Sequence, residues 1–110
     1  VAPSQQKRDK KISILGKIQK VDPEGIPVES WEPITGGENI WAYYRQASAK
    51  EFYEAAATNY RVDAIFHVNW RDDVDSSMMI RFRGEDYNIS RIDDFEGYKR
   101  ELKIHAYKLN

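Results

Sequence analysis

At 110 residues the chain has the length of one domain, and folding at that size buries about two-thirds of the surface an unfolded chain exposes. Lys and Arg number 17 against 18 Asp and Glu, and a formal net charge of −1 argues against generic attraction to nucleic acid or anionic membrane. The absence of cysteine excludes disulfides and thiolate metal sites, and no apolar run approaches the roughly 20 residues that span a bilayer.

Residues 1–11 include Lys7, Arg8, Asp9, Lys10 and Lys11 and almost nothing apolar. They read as a flexible, solvated arm without the apolar centre of a signal peptide. Ile12, Ile14, Gly16 and Ile18 then alternate with Ser13, Leu15, Lys17 and Gln19 as a period-two strand, with Leu15 off pattern. Asp22-Pro23-Glu24-Gly25 is a turn signal, because Pro presets φ and Gly supplies positive φ. Val28, Ser30 and Glu32 alternate with Glu29, Trp31 and Pro33 as the second strand of a hairpin, and Pro33 puts its end at an edge or a bulge.

Ile40, Ala42 and Tyr44 share one strand face, and Trp41, Tyr43 and Arg45 share the other. Both faces are apolar enough to need cover, from the following helix or from a neighbouring subunit. Ser48 with Glu51 three residues later is a capping box, in which each side chain satisfies a backbone donor at a helix start. The helix runs about three turns and stops near Asn59. Phe52, Ala55, Ala56 and Asn59 lie on one side, and Tyr53, Ala57 and Tyr60 on another. It either closes one end of a barrel or faces a neighbour.

Residues 61–70 give the cleanest alternation, with Val62, Ala64, Phe66, Val68 and Trp70 inward and Asp63, Ile65, His67 and Asn69 outward. A polar loop, a short strand over 78–82, a tight Arg83-Gly84 turn and a strand over 87–92 follow. The last strand turns Leu102, Ile104 and Ala106 inward. Six or seven short antiparallel strands with one inserted α-helix define a mainly β chain, a small barrel whose closure removes sheet edges. Residues 12–110 read as one domain.

Catalytic signals are missing. His67 and His105 sit on different strands with no nucleophile motif beside either, and both read as solvated. Asp72, Asp73 and Asp75 suggest calcium, but a loop counted from Asp73 puts Met78 where the turn glycine belongs and Gly84 where the bidentate Glu belongs. Neither Gly36-Gly37 nor Arg83-Gly84 fits a phosphate-binding pattern. No cofactor, metal or catalytic residue is expected.

The order of motifs is more informative. The segments are Gly25-Ile26-Pro27-Val28-Glu29-Ser30-Trp31, Ile40-Trp41-Ala42-Tyr43-Tyr44, Ser48-Ala49-Lys50-Glu51-Phe52-Tyr53-Glu54-Ala55, the stretch from Asp72 to Glu85, and Tyr87-Asn88-Ile89. In this order the chain resembles the phage head–tail joining proteins (head–tail adaptors, head-closure or stopper proteins) from about Ile12 to Leu109. The charged arm before Ile12 departs from the pattern.

The resemblance implies a β-barrel subunit of a ring beneath the portal of a tailed-phage capsid. Such a ring extends the channel for packaged double-stranded DNA, retains the DNA without sequence-specific binding, and offers a docking surface for the tail-completion or tail-terminator protein. It implies a virion location at the head–tail interface, assembly in the bacterial host cytoplasm, and no membrane. A balanced charge suits a conduit that must release DNA. Trp41, Tyr43, Phe52, Tyr53 and Tyr60 are the candidate inter-subunit residues, and 35–39 and 47–60 the candidate segments for rearrangement or channel closure. The isolated subunit is expected either to form the ring or to remain a monomer. A tail terminator or other neck ring is the nearest alternative, and an OB-like single-stranded nucleic-acid binder the next.

Overall fold

The computed structural model describes residues 8–59, 61–94, 97 and 100–108. Its elements are β1 (Lys10–Val21), β2 (Pro27–Pro33), β3 (Ile40–Gln46), α1 (Ala49–Ala57), β4 (Ala64–Asn69), β5 (Met79–Phe82), β6 (Glu85–Asp93) and β7 (Glu101–Lys108). The sheet order is β2-β1-β3-β4-β7-β6-β5, and a further β1–β5 pairing closes it. The described residues therefore form a closed six-stranded antiparallel barrel with one extra strand, β2, and a single helix.

Closure depends on how β1 divides its length. Lys10 to Ile12 pair with β3, Ser13 to Leu15 with β5, and Leu15 to Val21 with β2. Beyond Leu15 the strand has left the barrel. Ile12, Ile14 and Leu15 are accordingly buried, whereas Ile18, in the same period-two set as Ile12 and Ile14, is 39% exposed because only β2 lies beside it. Lys10 and Lys11, placed in the arm by composition, pair with Ala42 and Trp41 in the sheet; residues 1–7 of that arm lie outside the described residues.

Two turns need their glycines. At the β5–β6 hairpin Arg83 and Gly84 both have positive φ, the mirror-image turn whose twist matches the flanking strands. Gly37 is buried under Ile34, and a Cβ there would lie 2.5 Å from the Ile34 side chain. The close approach lets Ile14 donate to Gly37 O at 2.8 Å and accept from Ile34 N at 2.9 Å, carrying the chain from β2 across to β3.

Phe66 lies at the centre of the barrel core. Its ring centroid is 5.4 Å from Tyr44, 5.5 Å from Phe82 and 5.5 Å from Tyr87, and Ile12, Ala42, Val68, Ile80, Leu102, Ile104 and Ala106 fill the remaining space. Of the inward sets expected for β4 and β7, Ala64, Phe66, Val68, Leu102, Ile104 and Ala106 are in the core and Trp70 packs against it, whereas Val62, expected with them, lies in a separate cluster under the helix. The outer face of β4 differs from expectation, because Ile65 and His67 are also buried. Ile65 packs with Ala55 and Val62 under the helix. Helix α1 therefore lies against the outside of the barrel and does not plug an end.

Truncating Phe66 removes three ring contacts at a fully buried site. Phe66→Ala is expected to lower the unfolding free energy by about 3–5 kcal/mol, read from urea titration monitored by far-UV circular dichroism. A loss well under 1 kcal/mol would overturn the central position given to this ring.

Candidate functional site

Helix α1 is short, and nine residues do not hold a helix in water without outside support. The support is local. Ser48 Oγ accepts from Glu51 N at 3.1 Å, and Glu51 Oε1 accepts from Ser48 N at 2.9 Å, closing the capping box. Arg45, from the outer face of β3, donates to both Glu51 oxygens at 2.6 and 2.8 Å. That bidentate bond holds the Glu51 carboxyl far below the usual carboxylate range. Thr58 caps the other end, and Asn59 follows at φ 64°, the left-handed stop its residue type allows.

What this clamp presents is apolar. Ala55 is the helix's single buried residue. Phe52 and Tyr53 are 45% and 70% exposed and meet edge to face at 5.6 Å. They line a groove of ≈310 Å³ with Ala47, Val62 and Asp63. Trp41 is 55% exposed on the outer face of β3, with Lys11 Nζ 4.7 Å from its ring centroid. Tyr43, on the same face, is half-buried and packs edge-on to His67 at 5.4 Å.

The five sequence candidates thus separate. Phe52 and Tyr53 form one exposed pair, and Trp41 a second exposed surface on β3. Tyr43 instead covers a buried polar cluster. Tyr60 lies outside the described residues. His67, expected to be solvated, is enclosed: its Nδ1 is 2.9 Å from Glu101 Oε1, and the other Glu101 oxygen is paired with Arg8. The polar loop is likewise engaged. Arg71 binds Asp73 through two nitrogens at 2.7 and 2.8 Å and donates to the carbonyls of Thr35 and Gly36 at 2.8 Å each. Any rearrangement of 35–39 must first release that guanidinium. Asp75 accepts from its neighbour Ser77.

Two features escaped sequence reasoning. One is the exposed apolar set Ile18, Val21, Ile26 and Val28 on the β1–β2 hairpin. Its signal was β1 itself, twelve residues long and twice the usual strand, which must outrun its partners. The other is a groove of ≈470 Å³ between α1 and the strands β6 and β7, where His105 is half-buried.

A closed barrel carrying exposed aromatics and an apolar hairpin has the anatomy of an assembly component, because contiguous exposed apolar surface marks sites of protein contact. The chain belongs to the phage head completion protein family, which matches residues 4–109. Its class is a structural protein of the phage head, and the family is not one of enzymes. No curated protein matches it in sequence. Among solved structures it is similar to protein SF1141 of Shigella flexneri 2a, at 23% identity and TM-score 0.71 over 90% of each chain. It is also similar to a chain of the native gene transfer agent virion, at 14% identity and TM-score 0.56, over 92% of this chain and 94% of that one. At these identities the two structures attest the fold.

His105 gives a pH signature for the packed helix. Burial, followed by the nearby Arg91 and Lys103 charges, lowers its pKa from 6.5 to about 4. A depressed folded value means that stability is full above 6.5 and is lost as pH falls toward 4. Wild type is expected to lose stability between pH 7.5 and 5, and His105→Gln to lose less, in thermal unfolding at both pH values. Equal losses would show that the imidazole stays solvated.

Proposed function

We propose that the chain forms a ring below the portal, closes the DNA-filled capsid and provides the surface to which the tail attaches. The observation that carries this reading is the helix. An element that buries one alanine of its own chain, yet is fixed by a capping box and a bidentate Arg–Glu pair, is held for what it presents outward. Phe52 and Tyr53 then pack laterally against a different surface of the next subunit, the heterologous contact that generates rings when the rotation closes. Trp41 extends the contact along β3, and Tyr43 stiffens it from within. Tyr60 is assigned to the same contact.

The portal and adaptor proteins lie above such a ring and a tail-completion or terminator protein below it, with double-stranded DNA passing through the channel. A net charge of −1 lets DNA move without being gripped. Subunits would be made in the host cytoplasm and join the neck there. An interface built on a few aromatics leaves a monomer at ordinary concentrations until a template raises the local one.

Light scattering and negative-stain imaging of the chain, alone and with cognate portal, test this. Stoichiometric addition beneath the portal is expected. Phe52→Ser with Tyr53→Ser should change monomer stability by no more than about 0.5 kcal/mol each while abolishing addition. A chain that ignores portal but binds tail tubes is a terminator, and salt-dependent binding to single-stranded DNA without either partner would sink the connector reading.

A further inference from the structure

We infer that the β1–β2 hairpin of one copy seats its tip in the groove between α1 and the β6–β7 strands of the next copy. The inference rests on the ring reading and adds the contact that links its subunits. From Gly16 to Val21 the hairpin stands clear of the barrel for about 20 Å, at the ~3.3 Å per residue of a strand. The molecule measures 59 Å along one axis against 30 and 27 Å along the others. A lone two-stranded ribbon is marginal in water, yet this one exposes Ile18, Val21, Ile26 and Val28. Cover from outside the chain resolves that conflict.

Charge selects the occupant. Within the hairpin Lys17 pairs with Glu29 and Lys20 with Glu32, which cancels four charges and leaves Asp22 and Glu24 at the tip. Asp22 spends one carboxylate oxygen on the backbone N–H groups of Glu24 and Ile26, at 3.0 and 2.8 Å. Glu24 has no ion-pair partner among the described residues, and Val21 and Ile26 flank it at 70% and 57% exposure. The tip thus presents the Glu24 carboxylate, beside the backbone-bonded Asp22, between two aliphatic side chains.

The groove is its complement. Ala55, Thr58 and Val62 form one side, and Arg91, Lys103 and His105 the other, around ≈470 Å³. Lys103 has no ion-pair partner among the described residues, and Arg91 reaches Asp93 only at 3.6 Å. The buried His105 Nε2 has no hydrogen-bond partner. Of the two acids that also line the groove, Glu51 is occupied by Arg45, which leaves Glu54 at the rim as the opposing charge. No residue of β1 or β2 lines the groove, so donor and acceptor are separate surfaces of one chain. That is the condition for a head-to-tail ring.

Charge reversal tests the pairing, with addition to cognate portal read by light scattering and imaging. Glu24→Lys and Lys103→Glu are each expected to reduce addition at least tenfold, and the two together to restore it. Failure of the double variant to recover, with unchanged circular dichroism, overturns the pairing. A second test uses the absence of native cysteine. Pro23→Cys with Glu54→Cys, treated with a short bis-maleimide on the portal complex, should yield a ladder of covalent oligomers, and neither single variant should. Rings visible by imaging but free of cross-links would overturn the arm contact and leave the ring reading standing. Wild type that never adds to portal would remove both.

Discussion

The pairing of β1 with three different strands is the constraint on which the rest of the structure depends. Unpaired backbone groups are costly when buried and invite association when exposed. A six-stranded sheet solves this by closing on itself, and here closure occurs over the three residues Ser13 to Leu15 opposite β5. Because those residues come early in a twelve-residue strand, the remainder must project. The barrel and the hairpin are two consequences of one strand.

The helix answers a second constraint. Strand β4 is buried on both faces, and its outer face needs cover where Ile65 emerges. Ala55 and Val62 provide that cover, and the small alanine lets the helix lie close to the sheet. With so little of its surface used inward, the helix is free to display aromatic side chains outward. Its stability comes from hydrogen bonds and charge, through Ser48, Glu51 and Arg45, more than from burial. A scaffold of this kind keeps an apolar surface in place before any partner arrives.

Polar groups follow the same economy. His67, Glu101 and Arg8 form a chain of contacts beneath Tyr43, and Arg71 ties the turn before β3 to the loop after β4. Both arrangements join segments far apart in sequence. They explain why histidine and aspartate residues that look solvated in a linear reading are engaged in the fold. They also separate rigid surface from assembly surface: Tyr43 belongs to the first, and Phe52 and Tyr53 to the second.

Local chemistry was legible from the residues alone. The capping box at Ser48 and Glu51, the stop at Asn59, the Arg83-Gly84 hairpin and the alternation of Ala64, Phe66 and Val68 and of Leu102, Ile104 and Ala106 each depend on neighbours within a few positions. The barrel followed from strand spacing, and the family from the order of motifs. What the linear pattern left open is whatever depends on distant partners. Ile18 alternates like a core residue, but its burial requires a strand that β1 has already left behind. His67 alternates like a surface residue, yet Tyr43 and Glu101 enclose it. Period two assigns a side chain to a face; only the packed fold decides whether that face is covered, because cover is supplied by segments tens of residues away.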